Sequence, residues 1–151
     1  MIFTMFVFSF VCHLVADFLG QGILANMKQI SWWEDQIKAV PKEQRHKFVK
    51  DGPVTYVDEI ELKDTRYKND WYPCLLAHGF IWAAVMMVPY MFIKPFDPGA
   101  ICIGIVLNAL FHAWVDHQKC NKYSISLCTD QLLHLLQVLA TSILWYMCIE
   151  L

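Results

Sequence analysis

Long apolar stretches alternate with short polar ones along this chain. Residues 1–25, 71–93, 99–117 and 127–151 are predominantly apolar, and each approaches the roughly 20 residues that an α-helix needs to cross a bilayer. The apolar residues do not fall on one narrow stripe. Phe3, Met5, Phe6, Phe8 and Phe10 spread around the helix, which argues for lipid contact rather than the one-sided core of a soluble bundle. The pattern predicts an all-α fold, a four-helix transmembrane bundle forming a single membrane domain. The first stretch is a poor signal peptide, because it lacks a basic start and a small-residue cleavage site.

Between the first two spans lies a polar insertion, residues 28–70. Residues 32–50 have the pattern of one or two amphipathic helices, with Pro41 opening the second. Trp32 and Trp33 suit a membrane interface. After the breaker Asp51-Gly52-Pro53, the apolar residues Val54, Tyr56, Ile60 and Leu62 give a weak strand pattern that Val57 and Asp58 interrupt.

Charge sharpens this division. Of the 26 charged residues, 18 fall between Lys28 and Asp70, nine basic and nine acidic. The insertion is therefore not a polybasic arm, and a net charge of −2 gives no reason to expect nucleic acid as a partner. Loop one carries nine Lys or Arg and loop three carries Lys119 and Lys122, whereas loop two has only Lys94. The positive-inside rule then predicts loops one and three in the cytoplasm. The six cysteines form no CxxC pair. They are expected to be buried free thiols rather than a disulfide framework or zinc knuckle.

The few ionisable residues inside the spans carry the candidate chemistry. His13 and Asp17, His112 and Asp116, and Asp130 and His134 are each four residues apart, one helical turn on one face. His78 stands in the second span. Ionisable groups in hydrocarbon are costly and point to function. Chain reversal between spans brings all seven within roughly 18 Å of one bilayer face, at about 1.5 Å rise per residue. Polar residues extend the same faces: Ser9 and Gln21 on the first helix, Asn108 on the third, Gln137 and Thr141 on the fourth.

Imidazole nitrogen and carboxylate oxygen suit a divalent transition metal such as Zn, Mn or Fe, with one or two ions. The expected ligands are His13, Asp17, His78, His112, Asp116, Asp130 and His134. Such a site supplies Lewis-acid chemistry on a phosphoryl or carbonyl oxygen. A spare carboxylate serves as general base, making Asp17, Asp116 and Asp130 the catalytic candidates. Gln21, Asn108, Lys119 and Gln131 are candidates for substrate contact or ligand support. Each element has a plainer alternative. His78 is a hydrogen-bonding packing residue, the pairs are packing devices, Asp130 is the N-cap of the last helix, and Lys119 is a topology signal. A single site requires ligand atoms about 3–4 Å apart, given metal–ligand bonds near 2.0–2.2 Å.

The segments His13-Leu-Val-Ala-Asp17-Phe18-Leu-Gly-Gln21, Met27-Lys28, Ala77-His78, His112-Ala-Trp-Val-Asp116-His-Gln-Lys119 and Asp130-Gln131-Leu-Leu-His134 resemble a family of small membrane proteins of unknown function encoded by bacteria and their phages. The resemblance touches all four spans but not the charged insertion, whose role is not inherited. It implies a helical membrane protein without an established activity. A looser similarity is to membrane-bound metal-dependent hydrolases, an analogy at the level of residue types. Three functions follow as expectations: a metal-dependent hydrolase of a lipid-linked or phosphate-ester substrate, an ion or proton transporter, and a non-catalytic interaction protein. The expected partners are membrane lipid, a protein bound by residues 28–70, and further copies of the chain.

Overall fold

A computed structural model describes residues 1–20, 22–33, 69–93 and 97–150. Helix α1 (Ile2–Leu14) runs on through a π-helical turn (Val15–Leu19), and a short α2 (Leu24–Met27) follows. Helix α3 (Trp71–Met87) tightens into a 3₁₀ turn (Val88–Phe92). Helices α4 (Pro98–Cys120) and α5 (Leu127–Glu150) complete the fold. Among the described residues there is no strand. Four helices among the described residues are long and apolar enough to cross a membrane: Ile2–Leu19, Trp71–Phe92, Pro98–Cys120 and Leu127–Cys148, with mean hydropathies of 2.0, 1.7, 1.7 and 1.3. This is the architecture of an integral membrane protein. Gln21, the amphipathic pattern over 34–50 and the strand pattern over 54–63 lie outside the described residues.

Local chemistry sets the helix ends. Pro89 lies at the start of the 3₁₀ turn, where its missing N–H and its ring disfavour the α-helical ladder. Asp97 caps α4 by accepting from the N–H groups of Gly99 and Ala100 at 2.8 and 3.2 Å, and Pro98 takes the first helical position. Ser126 caps α5, its Oγ accepting from the Thr129 N–H at 3.2 Å. Asp130 is thus already inside the helix, its N–H bonded to the Ser126 carbonyl, which removes the N-cap explanation for its carboxylate. Gly22 has φ +50. That left-handed backbone is cheap only for glycine, and it lets the chain turn back after α1.

The helices pack in a ring, α1 against α3 and α5, and α4 against α3 and α5. Helices α3 and α4 come close at Gly79, where an added Cβ would stand 2.7 Å from the Ala109 carbonyl oxygen and 3.3 Å from Ala113 Cβ. Small residues here let the α3 and α4 backbones nearly touch. The apolar core includes Met5, Trp82, Met86, Met87, Tyr90, Val138 and Trp145. Phe3, Phe8, Phe18, Phe92, Leu107 and Leu144 point outward and are more than half exposed, the arrangement expected when the surrounding solvent is lipid. The cysteines are free, but the expectation of burial needs correction. Cys102, Cys128 and Cys148 are exposed, and Cys12, Cys74 and Cys120 are half-buried. A thiol is apolar enough to face hydrocarbon, so an apolar stretch does not by itself imply an interior position.

Candidate metal centre

The end of α1, the start of α3, the end of α4 and the start of α5 meet at one end of the bundle. Their ionisable side chains meet with them. The close α3–α4 packing at Gly79 sets His78 beside His112, with their Nε2 atoms 3.0 Å apart. Asp116 Oδ2 lies 3.2 Å from His78 Nε2 and 3.6 Å from His112 Nε2. These separations bracket the roughly 3.4 Å edge expected of a tetrahedral ligand set with bonds near 2.1 Å. On the other side, His134 Nε2 is 3.6 Å from Asp116 Oδ1 and 3.5 Å from Asp130 Oδ1. Asp17 Oδ1 is 3.7 Å from His78 Nε2.

Among the described residues, two groups have the geometry to hold a metal ion, Asp17 with His78 and His112, and His112 with Asp116 and His134. His112 belongs to both. All five residues are buried: Asp17 is 9 % exposed, His78 2 %, Asp116 1 %, and His112 and His134 0 %. His134 Nε2 and Asp130 Oδ1 are buried without a hydrogen-bond partner, although they face each other at 3.5 Å. That is too long for a good direct hydrogen bond and suited to two atoms facing a common ion.

His13 has a different environment. Its Nδ1 accepts a 2.7 Å hydrogen bond from the Trp82 indole N–H. Indole nitrogen only donates, so His13 Nδ1 carries no proton there and the proton of the neutral ring sits on Nε2, which makes that atom a donor and leaves His13 outside the two ligand groups. That atom is buried and unpartnered, and the ring centroid lies 5.6 Å from that of His134. Trp82 also stacks on His112, with centroids 4.2 Å apart and planes 16° apart. His112 in turn stacks on His134 at 4.2 Å. Trp82, wholly buried, thus forms a floor beneath the cluster. The π-helical turn carries Asp17. Such a turn widens the helix by one residue and alters the angle at which this carboxylate meets His78.

Two ammonium groups balance the carboxylates. Lys28 donates to Asp116 Oδ2 in a buried ion pair, with side chains 6 % and 2 % exposed. Lys119 donates to Asp130 Oδ2 at 2.7 Å. Gln131 Nε2 joins two further oxygens, Asp130 Oδ2 at 3.0 Å and Asp17 Oδ2 at 3.3 Å. The chain around Lys28 is fastened to the end of α4 by Asn121. Its Nδ2 donates to the Lys28 carbonyl at 3.1 Å, and its Oδ1 accepts from the Ile30 N–H at 2.8 Å. Trp33 Nε1 donates to the Met27 carbonyl at 2.7 Å. Asn108 lies one turn deeper than His112. It donates to the Gly104 carbonyl and accepts from Gln137 and Thr141 at 2.9 and 3.0 Å.

Sequence reasoning had not singled out Lys28, Trp82 or Gly79 for these roles. In the sequence Lys28 stands out as the first charge after the opening span and in the Met27-Lys28 segment of the resemblance, with nothing to link it to Asp116, and Trp82 is one more aromatic residue in an apolar stretch. Comparison of the chain with known protein families, characterised proteins and solved structures finds no match. Four apolar helices and a buried His/Asp cluster that could hold a metal define the protein at this level.

Proposed function

We propose that this protein is an integral membrane metalloprotein that uses one or two divalent ions to hydrolyse a lipid-linked or phosphate-ester substrate. The triangle of His78 Nε2, His112 Nε2 and Asp116 Oδ2, with edges of 3.0, 3.2 and 3.6 Å, carries the reading. His134 and Asp17 extend it on either side. Asp130 and Asp17 are the carboxylates best placed to take a proton. The loop charges favour a site opening toward the cytoplasm of a bacterial inner membrane. Residues 28–70 are the candidate surface for a protein partner, and kinship with the small bacterial and phage membrane proteins belongs to the same proposal.

The test is metal analysis of the full chain purified in a maltoside detergent. The expected outcome is about one or two Zn, Mn or Fe per chain, lost in the double variant His112→Ala with Asp116→Asn, and a melting temperature that falls with chelator. Substoichiometric metal with chelator-independent melting sinks the proposal.

A second reading, an ion or proton relay, is favoured by one observation. Polar groups continue past Trp82 into the other half of the bundle, where Tyr90 bonds Ser142 at 2.8 Å and Ser9 Oγ and Trp145 Nε1 are buried without partners. Proton flux in liposomes that is abolished by Asp116→Asn would establish that reading instead.

A further inference from the structure

The buried cluster has an unusual charge balance. Among the described residues, Asp17, Asp116 and Asp130 supply three carboxylates, and Lys28 and Lys119 supply two ammonium groups. A divalent ion adds two positive charges to this set. Uncompensated charge in a low-dielectric interior is costly, so metal loading creates a demand for an anion. Loading also takes Asp116 as a ligand. Lys28, which pairs with Asp116 Oδ2, then loses much of its counter-charge while its backbone stays fastened by Asn121.

The two ammonium groups are linked through the cluster. Lys28 sits on Asp116, Lys119 on Asp130, and both carboxylates approach His134 Nε2 within 3.6 Å. A ligand replacing these contacts must offer several anionic oxygens, one for the ion and others for the lysines. A phosphoryl group does so, and lysine is a common point-charge partner for it. The partly exposed Lys119 side chain, 29 % accessible, marks the side from which such a group would enter.

Resting on the metal reading above, we infer that the metal-loaded site binds a phosphoryl anion, and that Lys28 passes from Asp116 to that anion when the metal takes the carboxylate. Lys28 is then a substrate-binding residue in the loaded state and the counter-ion of Asp116 in the metal-free state. Anion and metal must bind with positive coupling, and the coupling must act equally in both directions.

The experiment is a Mn²⁺ titration of the full chain in dodecyl maltoside, with and without inorganic phosphate. It is repeated in phosphate-free glycolipid nanodiscs with and without phosphatidic acid. The expected result is a tightening of Mn²⁺ binding by about tenfold, the low end of common coupling strengths. Lys28→Met should abolish that tightening while still binding Mn²⁺. Lys119→Met, at the more exposed position, should weaken it and serves as the second variant should Lys28→Met not fold. Coupling by inorganic phosphate identifies a soluble phosphate group as sufficient. Coupling by phosphatidic acid alone identifies the headgroup of a lipid as the source. Mn²⁺ binding that ignores both, or coupling that survives in Lys28→Met and Lys119→Met, overturns this inference alone. No Mn²⁺ binding in any arm overturns the metal reading and this inference with it.

Discussion

The two halves of the bundle bury polar groups in different ways. In the half that holds the chain termini, the polar contacts are mostly neutral and closed. Gln137 and Thr141 of α5 both bond Asn108 of α4, and Tyr90 bonds Ser142, which in turn bonds the Val138 carbonyl. The exceptions, Ser9 Oγ, Gln137 Oε1 and Trp145 Nε1, are neutral groups, each costing about 1–3 kcal/mol when unpartnered. In the other half, carboxylates, imidazoles and ammonium groups crowd together, and His13 Nε2, His112 Nδ1, both ring nitrogens of His134 and Asp130 Oδ1 stay without hydrogen bonds. Packing alone would favour the neutral solution everywhere. A half that retains charge and leaves His134 Nε2 and Asp130 Oδ1 open is arranged for something that binds there.

The largest effects should come from breaking the charged half. Asp116→Ala leaves Lys28 buried without its carboxylate, and loss of one partner of a buried pair costs about 3–5 kcal/mol. Equilibrium unfolding in mixed micelles should show that loss. The double variant Asp116→Leu with Lys28→Met should recover most of the stability, because removing both charges removes the desolvation cost, yet bind no metal. A cost for Asp116→Ala no larger than that of a neutral substitution at Asn108 would erase the distinction between the halves.

A steric comparison comes next. Gly79→Val, in the charged half, drives a side chain into the Ala109 carbonyl oxygen, which is backbone and cannot rotate away. Overpacking of this kind costs about 1–3 kcal/mol, and the strain must separate His78 from His112. Metal affinity should therefore fall together with stability. Gly104→Ala, in the other half, meets the Met87 Cε methyl at the same 2.7 Å. Methionine can swing aside, so the loss should stay below about 1 kcal/mol with metal affinity intact. Equal effects at the two glycines would mean that the α3–α4 contact does not set the cluster's geometry.

The four spans and the shared end of the ionisable pairs could be read from sequence because both depend on local quantities, apolar length and four-residue spacing. What bears on the cluster but escaped that reading is tertiary. Lys28 reaches Asp116 only because the chain turns back at Gly22 and is held by Asn121. Trp82 and Trp114 look alike in sequence, each in an apolar stretch, yet one is fully buried against His112 and the other is 54 % exposed. Spacing arguments also assume a regular α-helix throughout, and the π-helical turn at Val15–Leu19 departs from it at Asp17. Two contacts between helices are tighter than the four-residue pairs. His112–Asp116 and Asp130–His134 stand at 3.6 and 3.5 Å, whereas His78 approaches His112 at 3.0 Å and Asp116 at 3.2 Å. Periodicity placed the groups at the right end, and the close helix contact brought them together.

The smallest expected effect tests where the charged half ends. Asn108 lies on the face of α4 that carries His112 and Asp116, so helical spacing alone assigns it to the site. Its contacts lie with Gly104, Gln137 and Thr141, which makes it a neutral clip between α4 and α5. Hydrogen bonds of this kind in membrane bundles are worth about 0.6 kcal/mol on average and up to about 1.7 kcal/mol. Asn108→Ala should therefore lower unfolding stability by that modest amount and leave metal stoichiometry and affinity unchanged. The variant also frees Gln137 Nε2 of its 2.9 Å side-chain acceptor but leaves its 2.8 Å bond to the residue-108 carbonyl, which keeps the cost near the lower figure. A fall in metal affinity in Asn108→Ala would move the boundary of the site one turn deeper into the bundle, and the neutral half would then begin at Gln137 rather than at Asn108.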